Sequence, residues 1–141
     1  MTLYLDTSLL VAAMTNEEQT ERIQIWLSSQ SEQALIISEW GATEFSSALS
    51  IKVRTGQIDA KDRTAALAVF RQIASHSFTY AQVTSEHFRI AARFAEQYEL
   101  GLRAGDALHL ALASEQGATL CTLDRKLAAA GVALATSTRL I

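Results

Sequence analysis

Four carboxylates define the chemistry open to this chain: Asp6, Glu44, Asp106 and Asp124. Asp6 ends the first apolar run, Glu44 and Asp106 sit in apolar helical stretches, and Asp124 follows a late strand. Each also has an ordinary reading. Asp6-Thr7-Ser8 ahead of an apolar turn is good capping chemistry, and Asp124 can cap the helix that holds Lys126 and Leu127. Glu44, with Trp40 and Ala48 one turn away on either side, could lie on an exposed face. Asp106 gains from the dipole at the start of its helix. Yet the stretch from Ala104 to Ala113 is apolar on nearly all sides, so that helix is expected to be buried. A buried carboxylate without a partner is costly.

If all four acids converge in the fold, they point to divalent-metal chemistry. Two like charges ~6 Å apart repel by about 3 kcal/mol at an effective dielectric near 20. Six such pairs approach ~15 kcal/mol, which rivals the stability of a whole domain. Bound cations, shared protons or greater separation must relieve that. Oxygen-only ligands select Mg²⁺ or Mn²⁺ rather than zinc, and His76, His87 and His109 show no zinc-type spacing with Cys121. A carboxylate-held dication lowers the pKa of its waters and neutralises charge on a phosphate ester. It also lets an acidic cleft accept an anionic backbone. Thr7, Ser8 and Thr122 place hydroxyls beside the acids, to orient a water or carboxylate or simply to cap helices. Arg103 and Arg125 flank the acids and are candidates to hold a phosphodiester. Lys52 and Lys126 read as solvated surface, and His109 as a helix-surface or packing residue at the edge of the site.

The elements that must position these groups follow from hydrophobic period and punctuation. Strands are expected at Thr2–Leu5, Ala34–Ile37, Phe78–Val83, Ala118–Thr122 and Val132–Ala135. A helical turn covers Leu9–Met14. Thr15-Asn16-Glu17-Glu18 is a capping-box pattern opening a helix to about Ser29, with Ile23, Trp26 and Leu27 inward. Ser38 caps a helix that buries Phe45, Leu49 and Val53 and ends at Gly56. Asp59 caps the next, with Leu67, Phe70 and Ile73 inward. Thr84 or Ser85 starts a helix carrying Phe88, Ala91, Ala92, Ala95 and Tyr98, which Gly101 breaks. Arg103–Gln116 is a helix closed by Gly117, and Arg125–Ala130 a short one. Strands alternating with helices give an α/β fold around a parallel sheet with right-handed crossovers. Ligands in such sheets bind beyond the carboxyl ends of the strands, where strand order reverses. Asp6, Thr122 and Asp124 stand at such ends.

Bulk properties narrow the class. The 141 residues are the size of one ordinary domain, spanning 1–141, and can bury roughly 68% of the unfolded surface. The chain is 49% hydrophobic and 19% charged, as for a globular protein. No apolar run suggests a membrane span. The N-terminus lacks the basic segment of a signal peptide, and the single cysteine fits a reducing compartment, so a cytoplasmic location is expected. Cys121 reads as a small buried residue of a strand. A net charge of −3 excludes a general nucleic-acid coat, so any such binding must be local or metal-assisted.

Four segments resemble the PIN domain, and within it the toxin nucleases of VapBC toxin–antitoxin systems. They are Leu5-Asp6-Thr7-Ser8-Leu9-Leu10-Val11, Glu44-Phe45-Ser46-Ser47-Ala48-Leu49, Gly105-Asp106-Ala107-Leu108-His109-Leu110-Ala111 and Thr122-Leu123-Asp124-Arg125-Lys126-Leu127. The first and third are the more specific, and their order spans nearly the whole chain. The resemblance implies a three-layer α/β/α fold with a five-stranded parallel sheet of order 3-2-1-4-5. It implies a Mg²⁺- or Mn²⁺-dependent endoribonuclease with Asp6, Glu44, Asp106 and Asp124 as metal-binding acids and Thr122 as the catalytic hydroxyl. It further implies an RNA substrate such as tRNA or rRNA, a homodimer, and a small VapB-like antitoxin. An RNA-processing nuclease without an antitoxin, or a non-catalytic RNA-binding or scaffold domain of the same fold, is the alternative. A phosphoacceptor receiver domain lacks its acidic pair at strand one and its acid after strand three. An Asp-x-Asp phosphatase would need an acid where Ser8 stands.

Overall fold

A computed structural model describes all 141 residues. The chain runs β1 (Thr2–Leu5), α1 (Thr7–Met14), α2 (Thr20–Ser28), β2 (Ala34–Ser38), α3 (Glu39–Arg54), α4 (Ala60–Ser77) and β3 (Thr79–Ala81). It continues through α5 (Ser85–Ala95), a 3₁₀ turn (Tyr98–Leu100), α6 (Ala104–Glu115), β4 (Thr119–Thr122), α7 (Arg125–Ala133) and β5 (Thr138–Leu140). The five strands form one sheet of order β3-β2-β1-β4-β5, and every pairing is parallel. This is the expected α/β architecture and strand order.

Side-chain alternation along the strands builds the layers. Successive strand residues point to opposite faces. Leu3, Leu5, Ile37 and Cys121 therefore join one apolar cluster, with Leu9, Leu10, Ile23, Phe45, Leu49 and Phe70 of the first four helices. Phe45 and Phe70 stack there with ring centroids 4.5 Å apart. Tyr4, Ile36 and Leu120 join a second cluster with Ala91, Leu108, Leu110, Leu112 and Leu127 of the last three helices. A sheet buried on both faces needs apolar strands, and these strands are apolar. Seven consecutive residues of α6, Ala107 to Ala113, are buried, as its composition demands. No helix is long and apolar enough to cross a membrane.

Several boundaries differ from expectation. The apolar run Val132–Ala135 is not a strand. α7 continues to Ala133, Ala135 turns the chain at φ 56, and β5 follows at Thr138–Leu140. Leu127, Ala130 and Gly131 are buried along α7, a helical spacing that outweighs the strand-like run. Thr15 does not open α2. Its hydroxyl and backbone NH both donate to the Val11 carbonyl, at 2.7 and 3.1 Å, and so close α1 instead. β3 is only three residues long, and Tyr98 lies past the end of α5.

Candidate active site

The carboxyl ends of β1 and β4 are neighbours in the sheet, with Leu5 in register with Cys121. Asp6 leaves β1 as the N-cap of α1 and is only 4% exposed. Its Oδ1 accepts from the Ser8 hydroxyl at 2.6 Å and from the Leu9 NH at 3.3 Å. Its Oδ2 accepts from the Thr122 hydroxyl at 2.6 Å. That same Thr122 oxygen accepts from the Asp124 NH at 2.9 Å. Asp124 in turn caps α7, its Oδ1 accepting from the backbone NH groups of Lys126 and Leu127. Thr122, fully buried, is thus the link between the two strand-end acids. Asp6 and Asp124 are caps as well as site candidates; the two readings are compatible.

Glu44 enters from α3, the helix capped by Ser38, whose hydroxyl accepts from the Gly41 NH at 3.0 Å. Glu44 Oε1 accepts from the Thr7 hydroxyl at 2.6 Å and also bonds His109 Nε2. The second Glu44 oxygen lies beside Gly105, where an added Cβ would come within 2.9 Å of it. Gly105 therefore lets the first turn of α6 approach the acid closely.

Glu44, Asp106 and Asp124 line one open cleft of about 570 Å³, together with Trp40, Arg103, Gly105 and Lys126. Asp106 is half-buried rather than sealed in the core, because it stands in the first turn of α6 at the cleft wall. Asp6 lies behind that wall and joins it through Thr122. Arg103 lines the cleft, whereas Arg125 is exposed at the start of α7 and does not. Lys126, which the sequence suggested was plain surface, does line it, its ammonium lying over Gly101. The Thr7 hydroxyl is engaged by Glu44.

The electrostatics of the acids diverge. Burial pushes the Asp6 carboxyl above its usual range, against the hydrogen bonds from Ser8 and Thr122. Burial also raises Asp106, and the negative charge of Asp124 adds to the effect. Burial would raise Glu44 too, but hydrogen bonds from His109 and Thr7, with the attraction of His109, bring it below the usual range. No salt bridge reaches Asp6, Asp106 or Asp124; of the four acids only Glu44 has a basic partner, His109.

That donor set is the kind a hard dication takes: oxygen only, and largely uncompensated. No group of three or more His, Cys, Asp or Glu side chains already closes around one point. Glu44, Asp106 and Asp124 line the cleft instead of filling it. The sequence places His109 at the edge of the site as a surface or packing residue; the structure buries it to 2% exposure and bonds it at both nitrogens, a role the sequence did not show. One signal was available. A helix apolar on all sides buries its histidine, and a buried histidine needs partners.

The family profile described as "PIN domain" matches residues 3–133. No curated protein matches in sequence. Among solved structures, the chain is similar to VapBC2 from Rickettsia felis bound to a DNA fragment from their promoter. The TM-score is 0.72 at 15% identity, covering 99% of this chain and 98% of that one. It is similar to Mycobacterium tuberculosis VapC20, described as a sarcin-ricin loop cleaving toxin, with TM-score 0.71, 20% identity, and 92% and 95% coverage. It is also similar to VapBC-1 from nontypeable Haemophilus influenzae, with TM-score 0.66, 14% identity, and 99% and 98% coverage. At these identities the likeness speaks for the fold.

Proposed function

The chain belongs to the PIN-domain family, and on that premise we propose that it is a Mg²⁺- or Mn²⁺-dependent endoribonuclease, the toxin of a toxin–antitoxin pair. The observation that carries this reading is a cleft lined by Glu44, Asp106 and Asp124, backed by Asp6, in which three of the four acids lack any basic partner. The fold likeness to VapBC structures supports the toxin assignment and an antitoxin partner. A cytoplasmic homodimer that cuts tRNA or rRNA completes the proposal.

Asp6, Glu44, Asp106 and Asp124 would hold the cation. When bound, it supplies charge neutralisation at the phosphate and a water of lowered pKa. Thr122 fixes the Asp6 carboxylate and the backbone of Asp124 together, so the strand-end acids keep a set separation. Arg103 and Lys126 line the same cleft and offer positive charge to the RNA backbone. With a net charge of −3, the surface at large gives no such attraction, so binding concentrates at this cleft.

The test is incubation with total RNA and Mn²⁺. Discrete cuts are expected, and EDTA should abolish them. Asp6→Asn and Asp106→Asn should each lower cutting by about 100-fold or more, the scale of losing a preorganised electrostatic group. Both should keep the wild-type circular dichroism spectrum. Cleavage that persists in EDTA, or an Asp106→Asn variant that cuts at the wild-type rate, would refute the reading. Growth arrest on expression, relieved by a co-expressed small antitoxin, tests the toxin role.

A further inference from the structure

Behind the cleft runs a buried hydrogen-bonded chain that the four acids do not explain. Ser38 Oγ lies 2.8 Å from Tyr4 Oη, and Tyr4 Oη lies 2.7 Å from His109 Nδ1. His109 Nε2 bonds Glu44 Oε1, which the Thr7 hydroxyl also reaches. Ser38, Tyr4 and His109 are at most 2% exposed. One set of donors gives every proton an acceptor. Ser38 donates to Tyr4, Tyr4 donates to His109 Nδ1, and His109 Nε2–H donates to Glu44. The chain ties β1, the start of α3, α6 and the acid on α3 into one unit.

Its end is asymmetric. Glu44 Oε1 takes both donors, whereas no protein hydrogen bond reaches Oε2, which lies beside Gly105 at the cleft. A glutamate side chain has three rotatable torsions, and gripping one oxygen removes most of that freedom. We propose that His109, held from behind by Tyr4, is a positioning residue that fixes one oxygen of Glu44 so that the other is presented to a divalent cation in the cleft. This rests on the metal-dependent reading above. His109 itself touches neither cation nor substrate. It acts on the outer side of a ligand, where partners of this kind tune affinity.

The experiment measures Mn²⁺ binding to the full chain by calorimetry, with quenching of Trp40 fluorescence at the cleft as a second signal. His109→Leu should weaken Mn²⁺ binding by about 10–100-fold. His109→Gln, whose amide NH can still reach Oε1 but which gives up the bond to Tyr4, should weaken binding by only several-fold, well short of His109→Leu. Tyr4→Phe, which removes only the rear hydroxyl, should weaken binding by several-fold and serves where His109→Leu fails to fold. A merely structural role would lower thermal stability without this split between Leu and Gln. Wild-type Mn²⁺ affinity in folded His109→Leu or Tyr4→Phe, or equal loss in His109→Gln and His109→Leu, overturns the proposal. If the wild-type chain itself binds no Mn²⁺, the metal-dependent function falls with it. Normal wild-type binding that the variants leave unchanged sinks only the role of His109.

Discussion

Asp6 and Glu44 answer burial in opposite directions because their partners differ. Asp6 meets hydroxyls and one backbone NH, too little to offset its desolvation, and its pKa rises from the ordinary 3.8. Asp106 rises likewise. Glu44 meets His109 and falls below its ordinary 4.5. The consequences for stability have opposite signs. For Asp6 and Asp106 the folded chain binds the proton more tightly than the unfolded chain. Stability therefore grows as pH falls from neutral through their raised pKa values, and is complete below 3.8. For Glu44 the contribution is full above 4.5 and is lost as pH falls through its lowered value. In EDTA, the melting temperature should rise on mild acidification from neutral and then fall again in stronger acid. On the proposed metal-dependent function, saturating Mn²⁺ should remove the rise, because a bound cation would already neutralise Asp6 and Asp106. Melting curves across pH, with and without Mn²⁺, check this; a flat profile in EDTA would contradict it. The acids stand out in the sequence as candidates because a carboxylate in or beside an apolar stretch is conspicuous. The grip of His109 on Glu44 does not, since the two lie 65 positions apart and only the fold joins them.

Helix α7 shows what a stretch of sequence can hide at the level of elements. Val132–Ala135 is apolar and short, so its composition suits a strand as well as a helix end. What decides is tertiary. Gly131 sits in α7 against Thr138 of β5 and Leu110 of α6, and a Cβ there would come within 2.1 Å of the Thr138 methyl and 3.1 Å of a Leu110 methyl. The helix must present a bare backbone at that point for β5 to pack beside it. Gly131→Ala gains up to ~1 kcal/mol in helix propensity. Overpacking costs typically about 1–3 kcal/mol, and the contact is tight enough to place the cost near the top of that range. Urea denaturation should therefore show net destabilisation of roughly 1–2 kcal/mol. An unchanged or raised midpoint would mean that α7 and β5 separate more easily than their packing implies. The opening of α2 was misread for a different reason. Thr15 can donate backwards as well as accept forwards, and the backward bond to Val11 closes the preceding helix.

Across the whole molecule, the gathering of the candidate residues at one end of the sheet was the most legible property. A parallel sheet that starts at its middle strand and then builds outward on both sides must reverse order beside β1. Asp6 and Thr122 leave the two strands at that reversal. The alternation of strands with helices sufficed to predict a parallel sheet, whereas the strand order came from the family resemblance. The two apolar clusters lie on opposite faces of one sheet and share its strands, so they should unfold as a unit. Trp26 packs against one cluster and Trp40 against the other. Trp26→Phe and Trp40→Phe variants each leave a single reporter, on opposite faces. Once the small stability change of each substitution is measured by circular dichroism, fluorescence from either reporter should give the same urea midpoint as that signal. Fluorescence midpoints that separate from the circular dichroism would show that the faces melt independently. The sheet's margins carry a further consequence. Its outer strands, β3 and β5, are three residues each. A border that short offers a foreign peptide few unpaired amides to extend, and so little template for runaway strand addition between copies. Tyr80 and Leu140 show apolar surface along those borders, but with so few amides beside them that surface has little ladder to recruit.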